Sequence, residues 1–127
     1  MQEARFDWMG HSYIALTILF TVYGQLVLKW QMGQAGPMPV EWGGRLLFLL
    51  SQFLNPWIVS GLASAFLAAL AWMAAMTRFE INYAYPFMSL AFVVVLAFSA
   101  LFLNEPLTFN RVVGTLLVVC GLIVVTR

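Results

Sequence analysis

From Leu46 to Thr77 the chain runs through 32 residues without one charged side chain. As a single helix this stretch would be about 48 Å long at ~1.5 Å per residue, against a bilayer core of ~30 Å. It has to be broken, and Asn55-Pro56 supplies the break. Asparagine is a good N-cap, and proline suits a first helical turn. The stretch therefore divides into a short interfacial or re-entrant helix over 45–54 and a membrane span over 56–77.

The rest of the chain follows the same pattern. Only 9% of its 127 residues are charged and 63% are hydrophobic, whereas a soluble domain carries ~25% charged residues. The expected fold is an all-α membrane protein with four transmembrane helices, over about 12–31, 56–77, 82–103 and 107–126, in a single domain. No length remains for a soluble domain or a buried enzyme core. Residues 33–44, with four glycines and two prolines, form a loop. Arg78-Phe79-Glu80 and Asn104-Glu105-Pro106 form tight turns, so the last three spans run antiparallel.

Net charge is +1, with no basic block, which argues against nucleic acid as a partner. Cys120 is the single cysteine and forms no internal disulfide. Glu3 and Asp7 spoil a basic leader region, and no small-residue cleavage site follows the first run, so a cleaved signal peptide is not expected. There is no nucleophile–base pair, metal cluster or nucleotide loop. The reading is a non-enzyme that needs no cofactor or metal. His11 stands alone before the first span and reads as an interfacial residue.

Within the first span, Tyr13, Thr17, Thr21, Gln25 and Lys29 follow one another at intervals of four. A step of four turns a helix only about 40° past a full turn, so they form one slowly winding polar stripe about 24 Å long. In so apolar a segment this suggests a path or a polar contact surface. Each member also has a plainer reading. Lys29 suits the headgroup region by snorkelling. Thr17 and Thr21 either bond their own i−4 carbonyls or face substrate. Gln25 either joins two helices of a dimer by a hydrogen bond or belongs to the polar path.

The second span carries two rows of small residues. Gly61, Ala65 and Ala69 make one, and Ser64, Ala68, Ala71 and Ala75 lie beside it. Such rows let helices approach closely in lipid, and packing is preferred over a smooth substrate wall. Pro86, one turn inside the third span, is either a helix-start residue or a hinge. Arg5, Arg78 and Arg127 fall on one side of the membrane and Lys29, Arg45 and Arg111 on the other, so the positive-inside rule decides nothing. That balance permits both orientations, and hence an antiparallel dimer, or a partner subunit that sets the orientation. Four helices scarcely enclose a polar path, so a dimer is expected on size alone. Gly114, Val118 and Gly121 are its expected contact face.

Three segments carry a resemblance to the drug/metabolite transporter superfamily. The first is Thr21-Val22-Tyr23-Gly24-Gln25, continuing to Lys29 and Gly33. It is similar to the small multidrug resistance pattern of a glutamate, a glycine three later, a lysine and a glycine. The second, Ala84-Tyr85-Pro86, is similar to that family's Ala-Tyr-Ala segment. The third, Gly114 to Gly121, resembles its glycine-spaced dimerisation helix. The family's proton- and cation-binding glutamate aligns with Thr21, which cannot exchange a proton in the physiological range. All five acids (Glu3, Asp7, Glu41, Glu80, Glu105) lie in the tail or loops.

Gly24-Gln25 followed by Lys29, Ala84-Tyr85-Pro86, and Leu101 leading to Glu105-Pro106-Leu107 look more like another branch. It contains the subunits of the 4-amino-4-deoxy-L-arabinose-phosphoundecaprenol flippase. That resemblance implies a multi-pass protein of the bacterial inner membrane, moving a polyprenyl-phosphate-linked sugar or similar amphiphilic lipid. It implies a homodimer, possibly antiparallel, or a heterodimer with a homologous subunit. On this reading Lys29 meets phosphate, and Gln25, Thr21 and Thr17 meet sugar. Tyr83 and Tyr85 line the opposing wall, and Arg78 and Arg111 are further phosphate candidates. Two other functions stand beside it: a small-multidrug-type exporter of cations or metabolites, and a non-transporting subunit of a lipid-modifying complex.

Overall fold

A computed structural model describes residues 6–127 as helices joined by short turns, with no strand among them. The expectation for Arg5 lies outside the described residues. Helix α1 spans Trp8–Gln34, α2 Trp42–Ser51, α3 Pro56–Met76, α4 Ile81–Ala84, α5 Ser89–Phe102 and α6 Phe109–Val125. A 3₁₀ turn over Gln52–Leu54 extends α2, and another over Tyr85–Met88 joins α4 to α5. Trp8–Gln34, Pro56–Met76 and the composite Ile81–Phe102 are long and apolar enough to cross a membrane, and Phe109–Val125 is a shorter apolar helix.

Helix α1 begins before the expected Ser12 because Asp7 caps it. The Gly10 N–H donates to Asp7 Oδ1 at 2.9 Å, which satisfies one of the open donors of a helix start. The cap of α3 is the one expected of Asn55-Pro56. Asn55 Oδ1 accepts from the Trp57 N–H at 2.9 Å, and Pro56 opens the helix. The other end of the same amide donates to Gln31 Oε1 at 2.9 Å. Gln31 is buried, so this bond ties the end of α1 to the start of α3 where an unpaired amide would be costly. Helix α2 starts at Trp42 and has no buried residue. Its Arg45 donates to the Pro39 carbonyl at 3.0 Å and lies over the Trp42 ring.

The tightest packing joins α1 to α3. A Cβ placed on Gly24 would lie 2.9 Å from the Gly61 carbonyl oxygen, so the two backbones touch where both lack a side chain. Ser64 reaches across to donate to the Phe20 carbonyl at 2.7 Å. On α3 the buried row is Gly61, Ser64, Ala68, Ala71 and Ala75. Ala65 and Ala69 are exposed on the flank of that row, so the row of Gly61, Ala65 and Ala69 is split between packing at Gly61 and exposure at the two alanines. Around Ile14, Ile18 and Val22 of α1, the core gathers Ala75, Ala84 and partly buried side chains of the third span. Helix α6 packs against α5 and the Tyr85–Met88 turn, and its buried residues are Thr115 and Leu122.

Candidate functional site

The five-residue stripe on α1, with its members four apart, does not face one neighbour. Its precession of about 40° per step sums to roughly 120° between Thr17 and Lys29, enough to carry it from the α3 side to the α5 side. The structure divides it accordingly.

Thr17 and Thr21 line a groove of about 330 Å³ with Ala65, Ala69, Trp72 and Tyr85. The alanines of α3 leave the space, and the two hydroxyls, the phenol and the Trp72 indole N–H are its polar side-chain groups. Trp72 meets Tyr85 edge-on, with ring centroids 6.1 Å apart, closing one end. The buried Thr17 hydroxyl donates to its own i−4 carbonyl, Tyr13 O, at 2.8 Å, which leaves its lone pairs as acceptors. Thr21 makes no side-chain hydrogen bond to another described residue, so its hydroxyl is free both to donate and to accept. The volume falls within the range of ligand clefts, which begins at about 300 Å³.

Gln25, one turn on, is exposed and bonds no other described residue. Lys29, a further turn on, has turned toward the α5–α6 connection, where its Nζ lies 3.8 Å from Glu105 Oε1. This pairing was not anticipated in the sequence. It arises because Asn104 takes a left-handed conformation, φ 54°, and the Glu105 N–H turns back to the Ser99 carbonyl at 3.1 Å.

Tyr83 is drawn elsewhere. Its hydroxyl lies 3.1 Å from His11 Nε2, while His11 Nδ1 lies 2.7 Å from the Asp7 carbonyl oxygen. With Nδ1–H donating to Asp7, Nε2 accepts from the phenol. Phe6 stacks on the imidazole at 4.1 Å, and Phe79 and Phe87 meet it edge-on. His11 is thus the centre of an aromatic cluster rather than a lone residue. Beside it, Arg78 Nη1 donates to both Asp7 oxygens, at 3.1 and 3.3 Å. The Gly10 N–H, followed by Arg78, holds the Asp7 carboxyl below the usual carboxylate range despite some opposing desolvation. This end of the molecule is built for holding α1 to the α3–α4 turn, and Arg78 is occupied there. Arg111 donates to the Pro106 carbonyl at 3.0 Å, at the other end.

Pro86 sits in the 3₁₀ turn that interrupts the third span after one α-helical turn. The remaining expected positions lie on α6. A Cβ added to Gly114 or Gly121 would meet nothing within 4 Å, and Val118 between them is 37% exposed. Every carboxylate among the described residues (Asp7, Glu41, Glu80, Glu105) lies at a helix cap or in a turn, and none lines the groove.

The sequence profile of the EamA-like transporter family matches residues 8–127. The chain belongs to this family. Among the EamA-like protein's relatives is one from Shewanella sediminis, 34% identical over 120 residues, covering 87% of this chain and 82% of the relative. A second, from Sodalis glossinidius, is 30% identical over 121 residues, covering 92% and 90%. Both are named probable 4-amino-4-deoxy-L-arabinose-phosphoundecaprenol flippase subunit ArnF. A third, from Pseudomonas aeruginosa, is 28% identical over 124 residues, covering 94% and 98%, and is named the corresponding probable subunit ArnE. No solved structure matches the chain. Family membership and the long apolar helices make this EamA-like chain a multi-pass protein of the bacterial inner membrane with a role in transport.

Proposed function

We propose that this chain is one subunit of a flippase that carries a polyprenyl-phosphate-linked sugar across the inner membrane. Four spans, the fourth being α6, pair with a homologous subunit or a second copy. The observation that carries the reading is the groove of Thr17, Thr21 and Tyr85, followed along α1 by the amide of Gln25 and the cation of Lys29. A lipid-linked sugar presents the bilayer with a polar ring, a phosphate and a tail that needs no removal from lipid. Hydroxyl and amide groups replace water around the ring, because an unpaired polar group in hydrocarbon costs several kcal/mol, of the order of 2–7. A single cation offsets the phosphate charge. Tyr83 does not serve in this reading, since its phenol is bonded to His11. The names of the relatives support the same substrate class, and the two subunit names support a heteromeric partner.

Proton-driven cation export in the small multidrug manner is less well supported. That chemistry uses a membrane-buried carboxylate, and the groove is lined by hydroxyls and alanines instead. The test is the rate at which a lipid-linked aminosugar becomes accessible to an impermeant amine reagent in proteoliposomes. The expected result is exposure by wild type and a loss of at least about tenfold in the Gln25→Leu/Lys29→Ala variant. Equal rates for the two would refute the assignment of the stripe. No exposure by wild type, alone or with its homologous subunit, would refute the function.

A further inference from the structure

Lys29 and Glu105 are one of two ion pairs among the described residues, and they differ from the other. Arg78 and Asp7 meet at 3.1 Å in hydrogen-bonding geometry. Lys29 and Glu105 stand 3.8 Å apart, beyond the ~2.7–2.9 Å of a charge-assisted hydrogen bond. Their side chains are 67% and 37% exposed, and neither makes another side-chain hydrogen bond within the described residues. The pair holds the two charges near each other without satisfying them.

Next to this pair lies a second groove, of about 280 Å³, lined by Leu26, Val27, Trp30, Phe98, Phe102 and Leu103. Leu26 and Trp30 flank Lys29 in the sequence of α1, and Leu103 lies two residues before Glu105. The groove's lining is apolar apart from the indole N–H and the backbone. An apolar slot lined by the sequence neighbours of a loosely held cation matches a ligand with a hydrocarbon chain and an anionic head. It does not match a free anion, which has no use for the slot, or a neutral lipid, which has no use for the cation.

Building on the proposed function, the geometry points to Glu105 as a displaceable counter-ion. It holds Lys29 until a prenyl phosphate arrives, whose first isoprene units lie in the Leu26–Phe102 groove and whose phosphate takes over the lysine. The exchange suits the energetics. Exposed pairs contribute only about 0.2–1 kcal/mol, so a phosphodiester, whose single charge is shared by two oxygens, displaces the carboxylate at little cost once its prenyl chain lies in the groove. It also frees the α5–α6 turn from its ionic tie to α1 while the lipid is bound. Glu105 is a gating residue here, acting through Lys29 rather than touching the lipid. Gln25, one turn before Lys29, is then placed for the first polar group beyond the phosphate.

The test uses the full chain in phosphatidylcholine nanodiscs and titrates farnesyl phosphate, with farnesol and inorganic phosphate as separate arms. Removing the competing carboxylate by Glu105→Gln is expected to tighten farnesyl phosphate binding about fivefold, the equivalent of roughly 1 kcal/mol. Lys29→Gln is expected to weaken it at least tenfold, and adding Glu105→Gln to that variant should change nothing further. Farnesol should bind weakly and without regard to residue 105, and inorganic phosphate should bind much more weakly than the farnesyl ester. An unchanged or weaker affinity in Glu105→Gln would overturn the proposal, as would equal binding of farnesol or of inorganic phosphate. If the Glu105 effect appears but no lipid-linked sugar is exposed in proteoliposomes, the gate stands and the transport reading fails. If sugar is exposed and Glu105→Gln binds like wild type, the gate fails alone.

Discussion

Two pairs of glycines in this molecule have opposite surroundings. Gly24 and Gly61 face each other across the α1–α3 crossing, with no room for a methyl group at Gly24. Gly114 and Gly121 lie on the outer side of α6, where an added Cβ would meet nothing. In lipid, apolar burial offers little drive for helices to associate, so close packing and interhelical hydrogen bonds carry the association. The first pair shows what that looks like when complete: two touching backbones, reinforced by the Ser64 hydroxyl on the Phe20 carbonyl. The second pair has the same composition and lacks a neighbour within the chain. That contrast supports α6 as the surface offered to a second subunit.

Substitutions at the two pairs should therefore break different things. Gly24→Val should be the most damaging, at about 3 kcal/mol or more, because the opposing group is a helix carbonyl that cannot rotate away. Thermal unfolding in detergent would measure it. If the valine protein does not fold, Gly24→Ala should still show a clear loss, and a Tm equal to wild type would mean the crossing is looser than described. Gly114→Leu/Gly121→Leu should leave the unfolding of the detergent-dispersed monomer within a degree or two of wild type while lowering the cross-linked dimer fraction in membranes several-fold. An unchanged dimer fraction would remove α6 as the contact face.

Ser64→Ala should cost less, about 0.5–1.5 kcal/mol, because the Phe20 carbonyl lies within α1 and keeps its helical partner. Denaturation of the folded monomer would register it. The smallest effect belongs to the Asp7–Arg78 end. Asp7 has a lowered pKa in the folded protein, so its stabilising effect is complete above the ordinary value of 3.8 and is lost as pH falls through the lowered one. The Tm of wild type should drop across that acid window, and Asp7→Asn should flatten that part of the curve. A wild-type profile identical to the asparagine variant's would mean that the cap and the ion pair contribute nothing there.

The likeness between the two glycine pairs also shows how far sequence reading reaches. Spacing in apolar runs marks Gly61 and the Gly114–Gly121 pair as close-approach positions, but nothing in the spacing says which face is filled by the chain itself. The same holds for α3. Both small-residue rows are visible in the sequence, yet Gly61 of the first packs against α1 together with the second row. Ala65 and Ala69 of the first open the groove, where Ala68 of the second joins them. The rows lie side by side on the helix, and their spacing does not say which members meet a neighbour and which border a cleft. His11 illustrates a different gap. Its partners Phe79, Tyr83 and Phe87 lie far along the chain, and sequence periodicity carries no record of contacts between helices.

By itself the sequence determined the membrane class, the run of apolar helices and the break at Asn55-Pro56. These depend on local quantities: charge-free length, hydrophobic content, and the capping chemistry of an asparagine before a proline. It also displayed the polar stripe on α1 and the lack of a carboxylate within it. Only the tertiary structure decided what the stripe faces. A period of four drifts about 40° at each step on a helix of 3.6 residues per turn. Threonines lining a groove beside α3 and a lysine paired with Glu105 after α5 therefore belong to one line in the sequence and to two places in the fold.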